Sequence, residues 1–311
     1  VPSEKGGEEV AFYVESTGNT PYTTFSISKA LEEGTWEHEQ LMADIEEIAK
    51  QLKKLKDADV PILWRPLHEA EGAWFWWGAE GAEPCKKLYR LLYDQLTNVY
   101  GLDNLIWVWT GYTFPTSADW YPGDDVVDII GYDKYNAKDG LPNLSSISST
   151  FYSLVQSTDG QKMVAMSEND TIPSLENLLN DKACWLYFCP WYMNYLTSEQ
   201  NNPVENLKEI YNSEYCITLD ELPDIKNYVS ENTEPTGDTS DSKTLKGDAN
   251  LDGSVDIADA VALASYVGDS EKNKLDPQGI INGDVQAVGN GVNANDALTI
   301  QQYLANIVKE L

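Results

Sequence analysis

PILWRPLHEAEGAWFWWG, residues Pro61–Gly78, holds the clearest fold signal in the chain. Val60, Ile62, Leu63 and Trp64 form an apolar run the length of one buried strand, and the sequence then turns polar at Arg65, His68, Glu69 and Glu71. In an α/β barrel, chemistry gathers at the carboxyl ends of the strands, and this strand end carries an Arg, a His and carboxylates beside Trp74, Trp76 and Trp77. Aromatic faces next to carboxyl groups suit a sugar ring. The competing reading places the tryptophans in a core and the charges on a solvated rim.

Working outward, His38 to Ala58 has Leu41, Ile45, Ile48, Leu52 and Leu55 at helical spacing, and lysines near its C-terminal end suit the helix dipole. Pro84 to Tyr100 predicts a second helix, with Leu88, Leu91, Leu92 and Leu96 on its buried side. Asn104–Trp109, Val126–Tyr132, Met163–Met166 and Cys184–Trp191 are further short apolar runs separated by polar or helical segments. This is β/α alternation around a parallel sheet whose strands should be buried on both faces. Each run ends in polar or aromatic residues: Thr110 after Trp109, Asp133 and Tyr135 after Ile130, Glu168 and Asn169 after Met166, and finally Trp191. One catalytic face is expected. Val1 to Glu37 reads as loop with one short strand at Val10–Val14.

The fold class is therefore α/β, a (β/α)8 TIM barrel from which roughly the first three strands are expected to be missing, since a full barrel takes about 250 residues. Residues 1–228 make this partial barrel. Residues 229–244, with the Ser/Thr/Asp-rich run SENTEPTGDTSDSK, cannot bury a core and read as a linker. Residues 245–311 form a second, small all-α domain. It contains an internal duplication, GDANLDGSVDIADAVALASYV from Gly247 and GDVQAVGNGVNANDALTIQQYL from Gly283, each an acidic loop running into an amphipathic helix.

A formal net charge of -30 excludes nucleic acid, because nothing could neutralise a phosphate backbone, and favours a neutral polymer or a divalent cation. No apolar run approaches a membrane span. The four cysteines, Cys85, Cys184, Cys189 and Cys216, lack metal-ligand spacing and are expected to be buried free thiols.

Glycosidic bonds are cleaved by two carboxyl groups flanking the bond, and Glu69 and Glu168 both sit just past an apolar strand, so a barrel would project both from one face. Glu71 competes with Glu69. Arg65 and His68 are placed to hold the carboxyls and adjust their protonation, and the Tyr135 hydroxyl to orient the nucleophile. WRPLHEAEGAWFWWG, followed by LIWVW, YPGDDVVDIIGYDKY and MVAMSEN, resembles glycoside hydrolase family 26, most closely its endo-β-1,4-mannanases, from about Phe12 to Pro223. The resemblance implies Glu69 as general acid/base and Glu168 as nucleophile of a retaining double displacement that needs no cofactor. It implies Arg65, His68 and Trp74 around the reacting mannose, Asp133 and Tyr135 beside the nucleophile, and Trp191 as a sugar platform. Trp77 and Trp109 complete the expected substrate-binding set. The substrate would be mannan, with xylan, mixed-linkage glucan or non-catalytic polysaccharide binding as alternatives.

In the small domain, Asp248, Asn250, Asp252, Ser254, Asp256 and Asp259 match the ligand spacing of an EF-hand loop, with Gly253 at its turn. The second loop, Asp284 to Asp296, has one residue more and offers Asp284, Asn290, Asn293 and Asp296. Calcium is the expected ion. Two such repeats after a linker resemble a type I dockerin from about Lys246 to Leu311. That resemblance implies a cohesin partner on a scaffolding protein, contacted near Ile257, Ala258, Ala294 and Asn295, and hence a secreted, extracellular enzyme of a cell-surface multi-enzyme complex. A calcium sensor would open a Met-rich groove, and this segment has no Met.

Overall fold

Thr35 starts the first long helix, α1 (Trp36–Lys56), by accepting a hydrogen bond from His38 N at 3.1 Å. Glu37 and Glu39 lie in its first turn and Lys53, Lys54 and Lys56 in its last, so both charge sets oppose the dipole. The computed structural model describes residues 1–15, 20–137, 141–222, 245–268, 270, 272–286, 288–289, 291–304 and 308–311. The chain divides into two compact units, Val1–Tyr228 and Val229–Leu311. The expected linker, residues 229–244, lies outside the described residues.

After α1 the first unit runs β1 (Ile62–Trp64), α2 (Ala82–Tyr93, continued by a π-helical stretch Asp94–Val99), β2 (Leu105–Thr110), β3 (Ile129–Lys134), α3 (Ser148–Ser157), β4 (Met163–Asn169), α4 (Leu175–Asp181), β5 (Phe188–Pro190) and α5 (Val204–Tyr211). The strands form one sheet in the order β1-β2-β3-β4-β5, every pair parallel. This barrel-like β/α arrangement is the one the alternation predicts, and it brings all five carboxyl ends to one edge. An irregularity between Tyr132 and Asp133 sets Asp133 directly across from Glu168. Such bulges re-aim side chains.

Three expectations change. Val10–Val14 is no strand: Tyr13 makes isolated bridges to Tyr22 and Phe75, and Val10 one to Pro2. Strand β1 and the start of β2 are not buried on both faces, because Ile62, Trp64, Leu105 and Trp107 turn into the core while the register partners Leu63 and Ile106 on the other face are exposed; from Trp107 onward β2 is buried on both faces, as expected. Of the cysteines only Cys85 is buried; Cys216 is intermediate, and Cys184 and Cys189 are exposed. Cys184 precedes the short β5 rather than lying inside it, since only Phe188–Pro190 of the apolar run pairs as strand. Trp185 is buried there and its indole donates to Ser146 O at 2.8 Å. Gly78 closes the turn after β1, where a Cβ would stand 1.9 Å from Ala70 O, so no larger residue fits.

The second unit contains α6 (Ile257–Gly268), α7 (Pro277–Gly283) and α8 (Ala294–Leu304). Among the described residues its buried apolar core is Ala249, Ala260, Leu263, Val285, Ala297 and Ile300. Helix positions three apart, 260 and 263 on α6 and 297 and 300 on α8, face inward. Ile257, Val261 and Leu298, apolar and at helical spacing, therefore face out. Among the described residues no helix is long and apolar enough to cross a membrane.

Candidate active site

Arg65, just past β1, ties the strand ends together. Its Nη1 donates to Thr110 Oγ1 at 3.2 Å on β2 and to Asp133 Oδ2 at 3.0 Å on β3, and its Nη2 donates to Glu168 Oε1 on β4. Tyr135 OH donates to the other Glu168 oxygen at 2.8 Å, and Ser167 Oγ donates to Asp133 Oδ1 at 2.7 Å. Both oxygens of Glu168 are thus held in place. Burial disfavours the charge on Arg65, yet Asp133 and Glu168 together hold the guanidinium above its ordinary range. One cation serves two buried carboxylates, so one of them must resist ionisation. Asp133 does: burial and the nearby Glu168 push it up to about 7, although Arg65 and Ser167 pull the other way.

Glu69 stands on the loop after β1 in the left-handed region, φ 52, between Leu67 at φ 54 and Ala73 at φ 58. Three strained non-glycine residues within one loop mark a backbone held in place by its surroundings. Burial and then the Glu168 charge raise the Glu69 carboxyl, while hydrogen bonds from Tyr112 and Trp74 and the charge of Arg65 lower it; the net direction is upward. A raised carboxyl beside a firmly held carboxylate is the division of labour that acid and nucleophile require. Glu71 is raised by burial as well, but it is Glu69 that feels the charge of Glu168; the two oxygens of Glu71 accept instead from Tyr112 N and Ser117 Oγ at 3.0 and 2.6 Å.

Trp74 is exposed beside Glu69, its ring lying where any side chain at Gly72 would be. His68 packs its ring against Phe75 and Trp77, with centroids 5.0 and 5.6 Å away, and burial followed by the charge of Arg65 lowers its pKa. Trp191 follows β5, exposed, with its N–H on Asn169 O at 2.9 Å. Two expected sugar contacts are corrected. Trp77 is buried, stacked on Phe75 at 4.4 Å with its indole donating to His68 O, and Trp109 is buried edge-on to Tyr89. Both serve the core beneath the site. Tyr112 and Ser167 are not among the expected residues, and Thr110 is expected only as a polar strand end. Tyr112 OH donates to Glu69 Oε1 at 3.3 Å, and its one sequence signal was its place just past the end of β2.

In the second unit, Asp259 Oδ1 accepts from Ala249 N and Asn250 N and its Oδ2 from Asp256 N. Asp296 repeats the pattern with Val285 N, Gln286 N and Asn293 N. The duplication read from the sequence is thus a duplication of hydrogen bonding, with the extra residue accommodated inside the second loop. Asp248 accepts from Asp252 N and Gly253 N, Asn250 Oδ1 from Asp252 N, and Asp252 Oδ1 from Ser254 N and Oγ. Asn290 lies outside the described residues. Among the described residues no three acidic, His or Cys side chains converge as a metal-binding group. The donors are nevertheless all hard oxygens, and Asp284 Oδ1, at the first ligand position of the second loop, is buried without a hydrogen-bond partner. Both features suit calcium.

The family model for glycosyl hydrolase family 26 matches residues 12–221. A mannan endo-1,4-beta-mannosidase of Thermothelomyces thermophilus is 44% identical over 69% of this chain and 39% of its own length. The crystal structure of a ruminal GH26 endo-beta-1,4-mannanase superposes with a TM-score of 0.63 at 44% identity, covering 65% of this chain and 45% of that one. That of a beta-mannanase from a symbiotic protist of the termite Reticulitermes speratus, complexed with gluco-manno-oligosaccharide, gives 0.64 at 41% identity over 71% and 66%. The chain spans between about a third and two fifths of the length of three curated mannan endo-1,4-beta-mannosidases that it matches: 39%, 35% and 33%.

Proposed function

The chain belongs to glycosyl hydrolase family 26, and on that premise we propose that it carries the active site of a retaining endo-β-1,4-mannanase acting on mannan-type hemicellulose. The observation that carries the reading is the pairing of Glu168, gripped through both oxygens by Arg65 and Tyr135, with Glu69, whose carboxyl is raised by burial and by Glu168 itself. In the first step Glu168 attacks the anomeric carbon while Glu69 gives its proton to the departing glycosidic oxygen. In the second step Glu69 takes a proton from water, which displaces Glu168 and restores the starting configuration. Asp133 steadies Arg65, and Trp74 and Trp191 offer exposed aromatic faces to sugar rings. Proton NMR of the first products from mannotetraose tests the mechanism: the β-anomer is expected before mutarotation, and the α-anomer appearing first would refute it.

The second unit is proposed to be a dockerin, with Asp248, Asn250, Asp252, Ser254, Asp256 and Asp259 holding one calcium ion and Asp284, Asn290, Asn293 and Asp296 a second. Its partner would be a cohesin module of a scaffolding protein, and the protein would work outside the cell. The outward apolar residues Ile257, Val261 and Leu298 support a protein-docking role. The core among the described residues is small for a domain of this size, which supports a stabilising role for a bound ion. Calorimetry on the full chain is expected to find one calcium ion per loop, with Asp284→Ala losing one. Chelation should open residues 245–311 to limited proteolysis; equal resistance with and without chelator would sink the calcium reading.

A further inference from the structure

Phe114 is an exposed aromatic ring on a hydrogen-bonded turn. It is 59% exposed, its ring 5.4 Å from that of Tyr112 at an interplanar angle of 31°. Leaving a ring of this size in water forgoes the stabilisation of burying it. Yet the turn that displays it is pinned by a chain of hydrogen bonds rooted in Glu71. Ser117 Oγ donates to Glu71 Oε2 at 2.6 Å and accepts from Phe114 N at 3.0 Å, Ser117 N donates to Phe114 O at 3.0 Å, and Tyr112 N donates to Glu71 Oε1 at 3.0 Å. Such chains polarise and stiffen one another. The same turn reaches the chemistry directly, because Tyr112 OH donates to Glu69 Oε1 at 3.3 Å.

We propose that Phe114 is a platform for a sugar of the leaving group, an accessory carbohydrate subsite on the Glu69 side of the site, and that Glu71 is the positioning residue that holds the turn in place. The inference rests on the glycosidase reading above. Glu69 protonates the bond to the leaving group, so a ring carried next to its hydrogen-bond partner Tyr112 faces that half of the substrate. A rigid apolar face suits the C–H face of a pyranose, and pre-ordering the turn avoids the entropy of fixing it at binding. Glu71, which competed with Glu69 on sequence alone, thereby acquires a distinct task.

The test compares two substrates on the full chain: mannotetraose, which places sugars on the leaving-group side, and β-mannobiosyl fluoride, whose leaving group is a single atom. Phe114→Ala is expected to lower kcat/KM on mannotetraose about tenfold more than on the fluoride, mainly through KM, the size of one aromatic contact. Glu71→Gln should move the same ratio in the same direction, and Phe114→Trp should restore it. Equal losses on both substrates, or no loss on either, would overturn the proposal. If the wild-type chain binds mannotetraose but turns over neither substrate, calorimetric binding to Phe114→Ala decides, weaker binding supporting the platform and equal binding overturning it; a wild-type chain that neither binds nor turns over mannotetraose would defeat the glycosidase reading instead.

Discussion

Glu168→Gln is expected, on the mechanism proposed above, to abolish hydrolysis of β-mannan, with a loss of at least about 10⁴-fold in kcat, because an amide cannot form the glycosyl ester through which both proposed steps pass. The substitution is nearly isosteric and the Gln oxygen can still accept one hydrogen bond from Arg65 or Tyr135, so the fold should survive and the loss is chemical. Glu69→Ala makes a contrasting loss. On mannan, where the departing alkoxide needs a proton, it should cost about 10²- to 10⁴-fold. On a 2,4-dinitrophenyl β-mannoside, whose leaving group departs as a stable anion, glycosylation should be largely spared and a slow, accumulating glycosyl-enzyme should appear as a burst. Equal losses for Glu69→Ala on both substrates would reassign the acid, and appreciable turnover by Glu168→Gln would reassign the nucleophile.

Arg65→Met is expected to destabilise the first unit by about 3–5 kcal/mol, the cost of leaving buried carboxylates without their cation. The side chains of Asp133 and Glu168 are 0% and 6% exposed, so solvent cannot replace the guanidinium. The loss should depend on pH in a definite sense. Asp133 titrates near 7 in the fold against an ordinary 3.8, so between these values the native state binds more protons than the unfolded one and stability falls as pH rises. Without Arg65 the carboxyl is pushed further up and that slope extends to higher pH, so the variant should lose least near pH 5 and most above pH 7. All 10 tryptophans lie within residues 1–228, so urea unfolding followed by indole fluorescence reports on this unit alone. Asp133→Asn added to Arg65→Met should recover part of the loss at pH 8. A difference below about 1 kcal/mol, or one that ignores pH, would mean that the guanidinium is dispensable to the fold.

Glu69 and Glu168 could be singled out without coordinates because each follows an apolar run that is too short for a helix and ends in charge. Position along a strand is local information, and parallel strands convert it into a shared edge. The role of Glu71 was not legible in this way. It lies two residues from Glu69 with the same side chain, and only the turn at Tyr112 and Ser117, more than forty positions downstream, takes its two oxygens. The same holds for the tryptophans. Trp74 and Trp77 share one aromatic cluster in the sequence, and which ring faces solvent depends on left-handed Ala73 and on the close approach of Gly78 to Ala70.

From sequence alone came the βα alternation, the two acids just beyond their apolar runs, the repeat at Gly247 and Gly283, and the family resemblance, since periodicity, the polarity that follows an apolar run and motif spacing all belong to neighbouring residues. Tertiary structure alone decided that Arg65 is shared between Asp133 and Glu168, that Asp133 is the carboxyl that resists ionisation, that Tyr112 rather than Trp77 or Trp109 attends the site, and that Ile257 and Leu298 face outward. The physical reason is that burial and Coulomb interaction depend on distance in space. Residues 65, 133 and 168 are far apart along the chain, and only the register of β3 against β4 and the length of one guanidinium bring them within hydrogen-bonding reach.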